Sequence, residues 1–199
     1  MTYLVLIIAY LLGSIPFGYI ITMLFQKTDI RKYGSGNIGA TNVLRVYGWR
    51  LALPAFILDL LKGLVAVVLA RAVSDLPAVY LGAGFLAMVG HSFPVYLKFK
   101  GGKAMATSIG VLMALSGWVT LIVVAWFLLV VYFSRYVSLG SMTAMILTPI
   151  FFLLLGFELS YIIFGIGAAI LVVARHHENI SRLAKGTESK IGQKKVGVK

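Results

Sequence analysis

The segment Tyr33-Gly34-Ser35-Gly36-Asn37-Ile38-Gly39-Ala40-Thr41-Asn42, followed by Arg45, has the residue types of a phosphate cradle. Gly34, Gly36 and Gly39 match G-x-G-x-x-G literally. A dinucleotide fold needs a strand before that pattern and a helix after it, inside a βαβ unit. Here an apolar stretch and a basic link precede it, so the dinucleotide reading fails. The physics beneath the pattern survives, because glycines let backbone N–H groups come close to an anion. A helical pattern follows, in which Asn37, Thr41 and Arg45 stand at i, i+4 and i+8. That spacing predicts an amide, a hydroxyl and a guanidinium in one row. The plainer alternative is a solvated face on a surface helix.

A second segment runs through His91-Ser92-Phe93-Pro94 and Lys98-Phe99-Lys100-Gly101-Gly102-Lys103 to Thr107-Ser108. Gly101-Gly102-Lys103 directly precedes a predicted helix start. The free N–H groups and dipole of a helix N-terminus favour an anion, and Lys103 adds a full charge. The spacing of a Walker A loop is absent. His91 lies inside an apolar run, where an ionisable group is a functional candidate; the alternative is a neutral imidazole bonded to a carbonyl freed by Pro94. A third segment reads Arg175-His176-His177-Glu178-Asn179-Ile180-Ser181-Arg182 and ends at Gly186-Thr187-Glu188. His176 and Asn179 are i, i+3 neighbours on one helix face. The adjacent histidines diverge on a helix and have no carboxylate cluster beside them, so no metal site is expected. Ser138-Leu139-Gly140-Ser141 opens an apolar run with hydroxyls and helix-start amides. Asp59 and Lys62, i and i+3 within another such run, read as a structural ion pair.

The elements that must carry these segments are membrane helices. Of the 199 residues, 60% are hydrophobic and only 12% charged, against about 25% charged in soluble domains. The 18 Lys and Arg outnumber six Asp and Glu, which fits anionic head groups and phosphorylated substrates. The hydrophobicity argues against a nucleic-acid partner. There are no cysteines, which excludes disulfides and thiolate chemistry. The first apolar run has no basic region before it and is too long for a signal peptide, so it reads as a membrane helix.

Apolar stretches near 3–25, 51–70, 79–97, 138–155 and 159–174 are each long enough to approach a bilayer crossing. The stretch 104–133 is ambiguous. As one helix it would run about 45 Å, beyond a hydrocarbon core of about 30 Å, and Ser116-Gly117 interrupts it. A hairpin of two short spans gives seven transmembrane helices with the N-terminus outside and the C-terminus cytoplasmic. Segments 26–50, 98–103, 134–137 and 175–199 then lie inside and hold five, three, one and seven of the 18 Lys and Arg, as the positive-inside rule requires. One continuous helix gives six spans and breaks that pattern. The expectation is an all-α integral membrane fold, a single transmembrane domain over 1–199, with 190–199 a basic tail.

With these residues in hand, the chain closely resembles the bacterial glycerol-3-phosphate acyltransferase family that uses acyl phosphate as donor, the PlsY family. The resemblance covers nearly the whole chain. It rests on Leu11-Leu12-Gly13-Ser14-Ile15-Pro16, the segment 34–42, Asp59-Leu60-Leu61-Lys62-Gly63, Gly90-His91, Phe99-Lys100-Gly101-Gly102-Lys103, Ser138-Leu139-Gly140-Ser141, His176 with Asn179, and Gly186-Thr187-Glu188. It implies transfer of an acyl group from acyl phosphate to the 1-hydroxyl of glycerol 3-phosphate. The products are lysophosphatidic acid and inorganic phosphate, the first step of phospholipid synthesis. No cofactor is implied, and no obligatory acyl-CoA or acyl carrier protein. The implied setting is the bacterial inner membrane, with the site on the cytoplasmic face and lipids around it.

By resemblance, Ser35 and Arg45 are essential, Gly101-Gly102-Lys103 binds glycerol 3-phosphate, His176 and Asn179 are needed for activity, and Glu188 is structural. Gly36, Asn37, Thr41, Asn42, His91, Thr107 and Ser141 join the substrate- and phosphate-binding candidates. Two positions depart from the family. Ala104 stands where Gly is usual, and His177 stands where Arg is frequent, which removes a permanent charge. Among rivals, an organic-phosphate transporter would more often show paired halves and broken helices. A CDP-alcohol phosphotransferase needs clustered aspartates, and the three here are far apart.

Overall fold

The computed structural model describes residues 1–193, and the regular structure within them is entirely helical. The first apolar run is two helices, α1 (Thr2–Ser14) and α2 (Phe17–Gln26), where a continuous one was expected. Pro16 is the reason. It has no N–H to donate and it drives the residue before it out of the helical region. Ile15 accordingly sits at φ −62°, ψ 116°.

A short helix α3 (Ala40–Tyr47) leads into the long α4 (Trp49–Val73), and α5 (Pro77–Ser92) follows. The ambiguous stretch is α6 (Met105–Leu115) and α7 (Gly117–Ser134), broken at Ser116. The Ser116 hydroxyl accepts from the Val119 amide at 3.3 Å, an N-cap that starts the second helix. The two pieces are unequal. Helix α6 has 11 residues, fewer than the roughly 20 of an ordinary crossing, whereas α7 has 18. The chain ends in α8 (Val137–Leu154), α9 (Leu159–Arg175) and α10 (His177–Ala184).

Five helical segments are long and apolar enough to cross a membrane, and six if α9 and α10, bent by 60°, count as one. Their outer faces carry Ile7, Leu24, Leu128, Leu153, Ile163 and Ile170, all more than half exposed. Such a continuous apolar surface suits lipid rather than water.

Inside, small residues let helices approach closely, the usual solution where lipid supplies no hydrophobic drive. A Cβ on Gly13 would collide with the Ala87 backbone, and one on Gly90 with the Tyr10 carbonyl. These two glycines set α1 against α5. In the same way α6 lies against α4, and α8 against α7 and α9.

The break at Pro16 creates a buried polar need that the predicted ion pair meets. Lys62 Nζ donates to the Ile15 carbonyl at 2.7 Å and pairs with Asp59 Oδ1 at 2.7 Å. His91 Nδ1 lies 3.5 Å from the same oxygen. The pair therefore ties α4 to the broken first span and to the end of α5. Lys62→Ala strands a buried carboxylate, and the expected loss is about 3–5 kcal/mol. Unfolding in mixed detergent micelles measures it; a loss below about 1 kcal/mol, the surface-pair range, would show that the pair is dispensable.

Candidate active site

The glycine-rich loop is organised around one side chain, Asn42. Its amide donates to the carbonyls of Tyr33 at 3.0 Å and Asn37 at 2.8 Å, and its Oδ1 accepts from the Ser35 N–H at 2.8 Å. Asn42 is buried and its polar capacity is spent within the loop, so it shapes the cradle rather than facing solvent. Gly34 has φ +61°, and a side chain there would collide with Asn42 Oδ1. The loop closes only with glycine at that point.

The predicted row of Asn37, Thr41 and Arg45 does not form. Asn37 lies three residues before α3, and its Oδ1 accepts from the Gly39 N–H at 2.8 Å. A side chain that competes for backbone amides belongs ahead of a helix rather than on it. Thr41 is exposed in the first turn of α3 and Arg45 is half-buried in its last. Ser35 keeps its hydroxyl free of hydrogen bonds among the described residues, and Gly36 is exposed beside it at φ +72°.

Gly101 and Gly102 lie directly on the end of α5. The Gly102 N–H donates to the His91 carbonyl at 3.0 Å. A Cβ on Gly102 would collide with the His91 ring, and one on Gly101 with Pro94 and the His91 carbonyl. His91 is thus the buried floor of this loop, shared with Asp59. Arg175 holds the loop from the other side. Its Nε donates to the Gly102 carbonyl and its terminal nitrogen to the Gly101 carbonyl, both at 3.1 Å, while the guanidinium stacks 5.0 Å from the Phe93 ring. Ala104 then enters α6 in the left-handed region, φ 58°, ψ 7°. A Cβ makes that conformation unfavourable by roughly 1–2 kcal/mol, which fits the glycine that the resemblance implies at this position.

The third segment meets this loop through Asn179. Lys103 Nζ donates to Asn179 Oδ1. The Asn179 amide donates to Glu188 Oε1 at 2.6 Å, which also accepts from the Ser138 hydroxyl at 2.7 Å. Arg182 Nε donates to Glu188 Oε2 at 2.7 Å and its guanidinium lies 3.6 Å from Glu178. Burial raises the Glu188 carboxyl, but the bonds from Arg182, Ser138 and Asn179 outweigh it and hold the group below its ordinary value. Ser141 takes no part, its hydroxyl being bonded to the Val137 carbonyl at 2.9 Å. Thr107 is fully buried, with its carbonyl against Gly63 of α4.

His176 sits at the bend between α9 and α10. Its Nδ1 lies 2.7 Å from the Val172 carbonyl. A carbonyl only accepts, so Nδ1 carries the proton and Nε2 keeps a lone pair. Burial pushes the imidazole down to about 4, with Lys103 and Arg175 pressing the same way. At neutral pH it is a buried, uncharged group with one basic nitrogen. His177 diverges as expected, exposed and bonded to the Ala174 carbonyl at 3.0 Å.

Burial also pushes the Lys103 ammonium down, to about 8, assisted by Arg182 and Arg45 and opposed by Glu178 and Glu188. Burial lowers the Arg45 guanidinium, with Glu188 and Arg182 as its charged neighbours. Three segments far apart in the chain thus bring Arg45, Lys103, His176, Asn179, Arg182 and Glu188 together. Arg175 and Arg182 were not picked out by the sequence reading. Both lie within the third segment, but nothing in their spacing reveals the carbonyls and carboxylate they bind. Such an arrangement can hold phosphate groups, exclude water and accept a proton at one neutral nitrogen. Arg175→Ala releases two carbonyl bonds from the glycine loop. Amide hydrogen exchange over 98–105 should rise at least tenfold while the rest of the chain keeps its protection; unchanged exchange there would remove the clamp role.

Comparison with known proteins gives the family. The family model described as Glycerol-3-phosphate acyltransferase matches residues 3–186. The glycerol-3-phosphate acyltransferase of Syntrophomonas wolfei is 49% identical over 95% of this chain and 96% of its own. That of Desulforamulus reducens is 46% identical over 98% of both chains. Two solved structures of PlsY (YgiH), an integral membrane glycerol 3-phosphate acyltransferase, superimpose at 39% identity over 96% of this chain. The glycerol 3-phosphate form gives a TM-score of 0.92 over 96% of its own chain, and the lysophosphatidic acid form 0.89 over 95%. This chain belongs to the glycerol-3-phosphate acyltransferase family.

Proposed function

We propose that the protein moves an acyl group from acyl phosphate to the 1-hydroxyl of glycerol 3-phosphate, releasing lysophosphatidic acid and inorganic phosphate. The observation that carries this reading is the meeting of Arg45 and Lys103 with a neutral His176 in a helical bundle whose exterior suits lipid. Two phosphate-bearing substrates require concentrated positive charge. An acyl chain requires an apolar path.

Acyl phosphate is a mixed anhydride with a good leaving group, so a covalent enzyme intermediate is unnecessary. The glycerol oxygen attacks the carbonyl carbon, the bond from that carbon to the bridging oxygen breaks, and the electron pair leaves on that oxygen with phosphate. Arg45 and Lys103 clamp phosphate, and the Ser35 hydroxyl and loop amides bind phosphate or the developing oxyanion. The attacking hydroxyl loses its proton to His176 Nε2 or to a substrate phosphate oxygen. Phosphate groups entering beside His176 would raise its low basicity by direct attraction.

The chain crosses the membrane seven times, with α6 as a short crossing, the N-terminus outside and the site at the cytoplasmic face of a bacterial inner membrane. The concentration of 16 of the 18 Lys and Arg on that side supports this topology. In right-side-out vesicles an external protease should leave the C-terminal tail intact; cleavage there would reverse the orientation.

Purified protein mixed with palmitoyl phosphate and glycerol 3-phosphate should yield lysolipid and inorganic phosphate one to one. Arg45→Ala and Lys103→Ala should each lower kcat/KM by at least 100-fold, as for loss of a charge clamp. Phosphate release without lysolipid would mark a hydrolase. Glycerol 3-phosphate uptake into proteoliposomes without turnover would mark a transporter. His176→Gln should lower the rate by about 10²–10⁴-fold if Nε2 takes the proton; a few-fold loss would leave that role to a substrate phosphate.

The pH profile tests Lys103 separately. Below about 8 its ammonium is charged and the clamp intact; above, the charge is lost. With rates referred to the dianionic substrate, kcat/KM should fall on the alkaline side near that value. Lys103→Arg should carry the limb upward, since a guanidinium stays charged.

A further inference from the structure

A second basic recess lies on the turn that leads into Gly101-Gly102-Lys103, and its lining side chains take no part in the hydrogen bonds that join Lys103 to Asn179 and Glu188. It is a cavity of about 380 Å³ lined by Tyr19, Arg31, Tyr96, Leu97, Lys98 and Lys100. Its walls come from α2, from the link after α2, and from the turn after α5. That turn is fixed by its own backbone. The Leu97 and Phe99 amides donate to the Pro94 carbonyl at 3.1 and 2.9 Å, and the Lys100 amide donates to the Leu97 carbonyl at 3.2 Å. Lys98 and Phe99 are held at φ 53° and 62°, where side chains other than glycine are uncommon. The two lysines are therefore presented from a constrained scaffold rather than a loose loop.

Two of the three cations that line the recess are uncompensated. Arg31 is bound to Asp29, with Nε at 3.0 Å and its terminal nitrogen at 2.8 Å, and stacks 5.0 Å from the Tyr19 ring. Lys98 and Lys100 have no hydrogen-bond or ion-pair partner for their ammonium groups among the described residues. The surroundings are those of a lipid–water boundary. Val95, Tyr96 and Phe99 are exposed beside the lysines, and Leu24 and Phe25, further along α2 from Tyr19, are about two-thirds exposed. Aromatic rings and lysines interleaved in this way settle at head-group level.

We propose that this recess binds the phosphate head group of an anionic phospholipid, at a site separate from the one that carries the reaction. Lys98 and Lys100 take the phosphate, the tyrosine hydroxyls take head-group oxygens, and the exposed apolar residues meet the acyl chains. The volume is at the lower end of ordinary small-molecule sites and suits a glycerophosphate head group. The inference rests on the chain lying in a membrane and not on the acyl-transfer chemistry, so the two fail separately.

Full-length protein in neutral detergent is titrated with phosphatidylglycerol, phosphatidylcholine and inorganic phosphate, and bound molecules are counted by native mass spectrometry. Phosphatidylglycerol should fill one position tightly, and the K98Q/K100Q double variant should weaken that position roughly tenfold or more. Phosphatidylcholine should bind both forms equally. K27Q/K32Q removes the same charge outside the recess and should leave the tight position intact. Thermal unfolding confirms that each variant is folded. Equal phosphatidylglycerol affinity in K98Q/K100Q and the parent overturns the proposal, as does an equal loss in K27Q/K32Q. Displacement of the lipid by equimolar inorganic phosphate would reassign the site to free phosphate and overturn the lipid source.

Discussion

The carboxylate of Glu188 is the constraint on which the site depends. It accepts hydrogen bonds from Ser138 at the start of α8, Asn179 in α10 and Arg182 one turn later, and through Asn179 it reaches Lys103. Arg45, Lys103 and Arg182 would otherwise repel one another in a partly buried space where repulsion is poorly screened. One carboxylate offsets part of that repulsion. It also sets the direction of Asn179, whose carbonyl oxygen is thereby left to face Lys103. Breaking this centre would leave cations without compensation and an amide without orientation.

The compensation is incomplete, and that incompleteness is what makes the site receptive. Lys103 is pushed down to about 8 by burial and by its cationic neighbours, so its charged form is disfavoured while the site is empty. A phosphate dianion bound there would favour the charged ammonium again. The same reasoning applies to His176, held neutral by burial with its proton on the nitrogen that faces the Val172 carbonyl. In the proposed reaction, anions that arrive with substrate would supply the missing negative charge.

Placing such a site against lipid demands that every interrupted helix satisfy its freed backbone groups. The interruptions here do so with side chains. Lys62 reaches the carbonyl exposed by the break at Pro16, Ser116 caps α7, and Arg175 takes two carbonyls of the glycine loop at the bend that carries His176. These breaks turn apolar crossings into elements that present polar groups at the end of the bundle. In the C-terminal segment the Ile191 amide donates to the Arg135 carbonyl at 2.8 Å and Lys190 lies 5.5 Å from the Tyr136 ring. The first part of the expected tail is therefore docked; residues 194–199 lie outside the described part.

The sequence by itself determined the helical class, the apolar segments, the break near Ser116, the Asp59–Lys62 pair and the family. The first four follow from composition, spacing or the balance of charge between segments, and the family from motifs spread along nearly the whole chain. The first span stands as one crossing over Thr2–Gln26 with a break at Pro16 that the hydropathy did not reveal, and the sequence misjudged the Asn37–Thr41–Arg45 row, because an asparagine redirected the backbone where periodicity alone reads through. Only the tertiary structure decided what the polar residues do. Asn42 and Asn37 look like ligands in the sequence, yet their side chains are spent on loop amides and carbonyls. Arg175 looks like a positive-inside charge, yet it holds the loop that carries Lys103. Charge and hydrogen-bonding capacity belong to the residue type, but the partner that uses them can lie far along the chain, 76 positions between Lys103 and Asn179. Helix packing brings such partners together, and no local pattern encodes it.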